Sequence, residues 1–372
     1  MKSVPYLDKI RIENFKAIQR SDVIRLTPFT AVVGNNGAGK SSLIEALAFL
    51  QDISVLDMPS ALEPLLGFDQ VWNKFWGPKT TKRKMRPMSF ELSGSYMDAY
   101  NDPAKFKSYL ELGYQPEGGK IGFMNESNQT MSLNGVWEPP ISLHPTRSFA
   151  GRPVWSQIPL LRKYLPSWQF LVLNPGSMGA EQLSGPARVQ GLERDGRNIA
   201  QYLFDFQSKF PAQFEEFVGA IQYVVPYLQD LRAEQSLDIV KRTFLQIVEK
   251  QEKIPGWLLS SGTLRACAVM ACLLHPEPPT LLVIEEIENG LDPRTLGLIT
   301  STIRSAVESG RTQVIATTHS PAFLDLVPPE YILTVTRAET GEPKFKRVNP
   351  KELGKWLEDF SPGRLYSMGM LT

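Results

Sequence analysis

The order of apolar and polar positions divides the 372-residue chain into stretches of different period. Residues 8–18, DKIRIENFKAI, alternate apolar with polar, as a strand with one buried face does. FTAVVG, 29–34, is an unbroken apolar run ending in glycine, and SSLIEALAFLQDI, 41–53, repeats at helical spacing. The two predict a buried strand, a glycine-rich turn and a helix. From 87 to about 131, MSFELSGSY, SYLELGY and KIGFMNES predict a meander of strands around YQPEGGK. The Pro- and Trp-rich stretch 135–165 has no period and is expected to be irregular connection. Residues 197–228 are helical in pattern and broken near their prolines. FLQIVEK, 244–250, returns to strand. Helix 261–275, strand TLLVIEE (280–286), helix 293–308, strand TQVIATT (312–318) and a short helix from Pro321 then alternate, the order of a parallel α/β sheet. There is no internal repeat and no sustained heptad pattern.

Composition narrows the picture only a little. Hydrophobic residues make up 42% and charged residues 21%, as in ordinary globular chains. Lys and Arg number 40 against 39 Asp and Glu, which excludes a globally basic nucleic-acid coat and leaves room for a local patch. The two cysteines, Cys267 and Cys272, read as small buried residues on one helix; with no disulfide framework a reducing compartment is expected. The N-terminal MKSVPYLDKIRIENF has no apolar leader core, and no apolar run is long enough to span a bilayer. A cytoplasmic protein without membrane segments is expected.

The chemistry concentrates in three places. GNNGAGKSS, Gly34 to Ser42, matches G-x-x-x-x-G-K-[ST] between a predicted strand and a predicted helix. Gly34, Asn35, Asn36, Gly37, Ala38 and Gly39 form a loop whose glycines let backbone N–H groups turn onto phosphate oxygens. The following helix adds its positive end. Lys40 supplies a point charge for the β- and γ-phosphates, the Ser41 hydroxyl suits Mg²⁺, and Ser42 completes the motif. A chance glycine-rich turn is the plain alternative.

The second place is TLLVIEEIENGLDP, 280–293, where an apolar strand runs into Glu285 and Glu286. Ligands of parallel sheets bind beyond the carboxyl ends of the strands. Adjacent side chains of a strand point to opposite sides, so the two acids are given different tasks: Glu285 joins the magnesium shell and Glu286 orients the attacking water. A solvated acidic loop is the alternative. TQVIATTHSPAFLD, 312–325, brings His319 to a neighbouring strand end, where it would touch a γ-phosphate; alone, a histidine before Ser-Pro more often caps or packs. The third place, WLLSSGTLRACAV (257–269), reads by itself as a helix cap at Ser260 or Ser261.

Together these pieces resemble the ABC-type ATPases and, within them, the SMC/RecF/OLD-like group of AAA_21-type predicted ATPases, over most of the chain. IRIENFKAI is similar to the family's first strand, GNNGAGKSS to its Walker A, LLVIEEIENGLDP to Walker B with the following D-loop, ATTHSP to the histidine switch and LLSSGTLRA to the signature motif. The resemblance implies an α/β P-loop NTPase of ABC-ATPase type, with a mixed sheet core, an antiparallel β-subdomain and a mostly helical insertion. It divides the chain into an N-terminal lobe (1–134), an inserted lid or arm (135–243) and a C-terminal lobe (244–372). It also implies ATP and Mg²⁺ as cofactors and a homodimer in which Ser260, Ser261 and Gly262 reach the γ-phosphate held by a second subunit. Asp292 takes the D-loop position, and Arg265 would brace the signature turn or the acidic loop.

The chain departs from the family pattern at Glu285, where an aspartate is usual, at Ile287, where a proline is usual, and at SSGT in place of SGGQ. Only 372 − 319 = 53 residues follow His319, too few for a Toprim nuclease domain, so a separate effector protein is expected. The basic run KTTKRKMR, 79–86, reads first as a solvated loop and second as a nucleic-acid backbone contact, with Trp72, Phe75 and Trp76 available for stacking. Two functions stay open: an ATP-switched dimer that drives an effector in anti-phage defence or DNA maintenance, and a slow ATP-sensing scaffold.

Overall fold

The computed structural model of the chain describes residues 5–74, 86–97, 102–114, 121–131, 137–143, 159–183, 191–236, 238 and 240–371. They divide into two units. The first comprises Met1–Trp168, Pro329–Phe360 and Leu365–Thr372; the second comprises Gln169–Pro328 and Ser361–Arg364.

In the first unit the strand Tyr6–Phe15 buries Ile10 and Ile12 and turns Lys9, Arg11 and Glu13 outward, as its alternation predicts, while an irregularity between Leu7 and Lys9 shifts the phase so that Leu7 is buried as well. The predicted strand 8–18 breaks at Phe15, because Asn14 and Lys16 take left-handed backbone (φ 59° and 46°) and turn the chain back into Ile18–Arg20. The meander follows: Met88–Met97 pairs antiparallel with Tyr6–Phe15, then Pro103–Tyr114, Ile121–Thr130 and Ile141–Leu143 add on. The helix Lys40–Val55 contributes Phe49, whose ring meets Phe15 and Phe90 at 5.9 and 6.0 Å, so helix and sheet share one aromatic core. The strand Phe29–Val33 is buried at all five positions, which is why it reads as a run and not an alternation. It pairs in parallel with Ile332–Arg337, which forms an antiparallel hairpin with Pro343–Arg347.

In the second unit Leu281–Ile284 pairs in parallel with Gln313–Thr318 on one side and with Gln169–Leu171 on the other. The helices Ser261–Leu274 and Pro293–Glu308 belong to this unit, and Cys267 and Cys272 are buried on the first of them. The helical stretch before them is two helices, Ile199–Lys209 and Pro211–Val224; Pro211 lacks an N–H and ends one helix while starting the next. Arg242–Glu249 is the central strand of a small antiparallel sheet with Gln182–Leu183, Asp230–Gln235 and Glu252–Pro255. Gln169–Leu171 and Glu252–Pro255 are too short to show a period, and Asp230–Gln235, whose Leu231 and Ala233 alternate into the core, is not among the predicted strands.

Candidate nucleotide site

The phosphate loop lies wholly in the first unit. Gly37 (φ 74°) and Gly39 (φ 111°) hold left-handed backbone that a Cβ would strain. The loop is also pressed against the hairpin Ile332–Arg347. A Cβ on Gly34 would sit 2.2 Å from the Val335 carbonyl oxygen, and one on Gly39 would sit 2.4 Å from Pro343 Cγ. Lys40 opens the helix, is buried, and donates from Nζ to the Gly34 carbonyl at 2.8 Å and the Asn35 carbonyl at 3.2 Å. Asn35, Asn36, Gly37 and Ser41 are exposed, while Ala38 and Ser42 are buried. Asn35, Asn36 and Ala38 share an open cleft of about 550 Å³ with Val335, Thr336 and Arg337 of the hairpin. The sequence reading gave that hairpin no part in the loop.

The signature turn, the acidic loop and the histidine switch come together in the second unit. The predicted strand 280–286 stops at Ile284, because Glu286 takes left-handed backbone at φ 48°. That turn, and not strand alternation, separates the two acids. Non-glycine residues seldom adopt this conformation; it costs on the order of 1–3 kcal/mol and persists only where the surroundings impose it. Here they do. The Glu286 N–H donates to Thr317 Oγ1 at 2.9 Å and the Ile287 N–H to the Thr317 carbonyl at 3.1 Å. The Glu286 carboxylate is exposed and accepts from Asn289 Nδ2 at 3.3 Å. Glu285 is half-buried, and its N–H donates to the Leu171 carbonyl at 2.9 Å. Just beyond Leu171, Asn174 caps a short helix by accepting from the Gly176 N–H at 3.2 Å.

Glu288, given no role by its sequence pattern, holds the switch. Its Oε1 accepts the His319 N–H at 2.7 Å and its Oε2 accepts the Thr318 hydroxyl at 2.8 Å. Asp292, in the D-loop position, caps the helix Pro293–Glu308, accepting from the N–H groups of Arg294 (2.9 Å) and Thr295 (3.1 Å) and from the Thr295 hydroxyl. The Thr295 hydroxyl, followed by the backbone N–H groups, holds its carboxyl below the usual range.

Ser260 caps the signature helix: its Oγ accepts the Thr263 N–H at 3.1 Å and lies 2.8 Å from Thr263 Oγ1. Ser261 follows on the exposed first turn. A Cβ on Gly262 would stand 2.5 Å from the Gly290 carbonyl oxygen, so the signature turn packs against the acidic loop of its own chain. Arg265 runs alongside: a Cβ on Gly290 would lie 3.7 Å from Arg265 Cδ. Burial lowers the Arg265 guanidinium from its ordinary value, and the Glu286 carboxylate pulls it back up. Of the two tasks expected for Arg265, the acidic loop is the one this packing supports.

The basic run falls largely outside the described residues, with only Arg86 within them; Phe75 and Trp76 also lie outside. Trp72 is described and is not open to stacking. It is 6% exposed, and its indole N–H donates to the Arg86 carbonyl at 2.8 Å.

Two family models, a curated relative and solved Smc heads are similar to the chain. Residues 155–325 match the family described as "AAA domain, putative AbiEii toxin, Type IV TA system", and residues 6–92 match "AAA ATPase domain". An "ATP/GTP phosphatase" of Helicobacter pylori (strain ATCC 700392 / 26695) is 20% identical over 347 residues, 86% of this chain and 87% of that protein. The fold is shared with Smc heads. One is bound to the C-winged helix domain of ScpA, with a TM-score of 0.59 at 16% identity over 94% of this chain and 99% of that one. Another, with an extended coiled coil and bound to the C-terminal domain of ScpA derived from Pyrococcus furiosus, has a TM-score of 0.54 at 14% identity over 96% and 99%. Fold and phosphate loop thus define a nucleotide-binding P-loop enzyme that hydrolyses ATP. The chain carries AAA_21 and AAA_15 ATPase domains over residues 155–325 and 6–92, on a fold shared with Smc heads. Among the described residues no helix is long and apolar enough to cross a membrane.

Proposed function

We propose that this ATPase is Mg²⁺-dependent and dimerises around ATP, each phosphate loop facing the signature turn of the other copy, and that closure and reopening drive a separate effector protein. Glu286 orients the attacking water, His319 contacts the γ-phosphate, and Ser261 with the Gly262 backbone serves the partner's nucleotide. The observation that carries turnover, as opposed to slow sensing, is the Glu286 backbone pinned in a left-handed turn behind an exposed carboxylate. A scaffold that only sensed ATP would have no use for that strain. Anti-phage defence suits the toxin named in the matched family description; DNA maintenance is the second setting.

Ser41 offers a hydroxyl oxygen and Glu285 a carboxylate oxygen, each by itself a donor type that suits a small hard cation. Among the described residues no three His, Cys, Asp or Glu side chains gather into a metal site of their own. When bound, the ion would neutralise charge on the β- and γ-phosphates.

Two measurements test this reading. Glu286→Gln should bind ATP and hydrolyse it at least about a hundredfold more slowly, the scale of a lost general base; unchanged turnover would place the base elsewhere. The trans arrangement is tested by mixing variants. Ser261→Arg is the cleaner block, because Ser260 also caps its helix. Ser261→Arg and Lys40→Ala should each be inactive alone, while a mixed dimer has one site with both defects and one intact and should regain part of the activity. Normal hydrolysis by Ser261→Arg alone would remove the signature turn from the site.

A further inference from the structure

We propose that Glu288 is a positioning residue that fixes the histidine switch relative to the hydrolytic carboxylate, so that Glu286 and His319 are presented to the nucleotide as one rigid pair. The proposal rests on the roles given above to Glu286 and His319. The parallel ladder between Leu281–Ile284 and Gln313–Ala316 ends at Ile284 and Ala316. Beyond it the two chains would separate as independent loops. The left-handed turn at Glu286 prevents the ladder from continuing, and a different set of bonds replaces it.

Thr317 takes the N–H of Glu286 on its hydroxyl and that of Ile287 on its carbonyl. Glu288 makes the return connection, with one carboxylate oxygen on the His319 N–H and the other on the Thr318 hydroxyl. Residues 286–288 and 317–319 are therefore laced by four hydrogen bonds, two of which end on this single side chain. Those two are at 2.7 and 2.8 Å, well-formed N–H···O and O–H···O lengths.

The direction of each bond is fixed by its neighbours. Thr318 Oγ1 also accepts the Ser320 N–H at 3.0 Å, so its proton is directed to Glu288. Ser320 in turn accepts the Phe323 N–H at 3.3 Å and caps the helix Pro321–Leu324 that follows the switch. Both groups facing the Glu288 carboxylate are donors, so the ionised form satisfies both of them. Glutamine offers only one acceptor oxygen and turns an NH₂ toward the other donor. Alanine leaves the His319 N–H and the Thr318 hydroxyl without their acceptor.

The experiment is steady-state ATP hydrolysis by the full chain, with nucleotide affinity and melting temperature measured on the same preparations. Glu288→Ala should lower kcat by roughly ten- to a hundredfold, the scale of a small misplacement of reacting groups, with KM and nucleotide affinity within about twofold. Glu288→Gln should recover a substantial part of the loss. Because Glu288 acts through the switch, Glu288→Ala combined with His319→Ala should be no slower than His319→Ala alone. Thr318→Val, which removes one donor and leaves Glu288 in place, should show the same defect in kcat to a smaller degree, and it carries the test if Glu288→Ala fails to fold. Multiplicative losses in the double variant, or a wild-type kcat in Glu288→Ala, overturn the proposal while leaving the site assignment intact. Wild-type turnover in both Glu286→Gln and His319→Ala would instead overturn the site assignment, and this inference with it.

Discussion

The carbonyl oxygen of Gly290, in the acidic loop, lies 2.5 Å from the point where a Cβ on Gly262 would stand. The glycine of the signature turn is thus required within its own chain, before any second copy is considered. Gly262→Ala should push the two segments apart and destabilise the protein by about 1–3 kcal/mol, as overpacking does. Turnover should fall further than the loss of folded protein explains, since Glu286 leads that loop. Thermal melting with hydrolysis on the same samples checks this, and an unchanged melting temperature would mean that the close approach is easily relieved.

Lys40 is buried and bridges two carbonyls of its own loop. Lys40→Ala removes the charge that would be released to a bound phosphate. ATP affinity should drop by about a hundredfold, near the upper end for a lost charged hydrogen bond, while the helix Lys40–Val55 persists. Calorimetric titration with circular dichroism on the same variant separates the two effects.

Thr317 is buried and its hydroxyl is the acceptor for the Glu286 N–H. Thr317→Val keeps the shape and strands that N–H. A loss of about 1–3 kcal/mol is expected, with a lower kcat, and Thr317→Ser should restore both. Equal behaviour of the Val and Ser variants in denaturant titration would show that the left-handed turn does not depend on this bond.

His275 follows the signature helix, packed by the rings of Phe206 at 4.8 Å and Phe210 at 5.3 Å. Burial lowers its pKa below the ordinary 6.5, with the Glu277 backbone opposing. A depressed folded-state value means that the neutral ring is the one the fold favours. Its contribution is therefore complete above about 6.5 and is lost as pH falls from there through the folded value. Stability measured across this window should decline in the wild type and decline less in His275→Gln.

How much of this was legible in the sequence depends on how far apart the cooperating residues are. Gly39, Lys40 and Ser41 are adjacent, and a contiguous pattern carries their geometry. The long helices and most interior strands were legible for the same reason, since a period is local. Glu288 was not, because its partners lie 30 and 31 positions away and meet it only through the parallel register of Val283 with Ile315. The strand Gln169–Leu171 has three residues, too few for a period to register. Glu285 and Glu286 differ in setting through the left-handed backbone of Glu286, which cannot be read from an acidic pair. Trp72 looked available beside a basic run, and its burial depends on tertiary packing that composition does not record.

The phosphate loop is walled by residues made long after it. Val33 pairs with Thr334, 334 − 33 = 301 positions later, and Gly34 and Gly39 rest on Val335 and Pro343. During synthesis the whole of Gly34–Ser42 leaves the ribosome well before its supporting hairpin exists. Closing a loop of that length is entropically costly and comes late. A nascent or prematurely ended chain would therefore carry an intact phosphate-binding motif with no shaped site, and ATP capture would report that translation had passed Pro343.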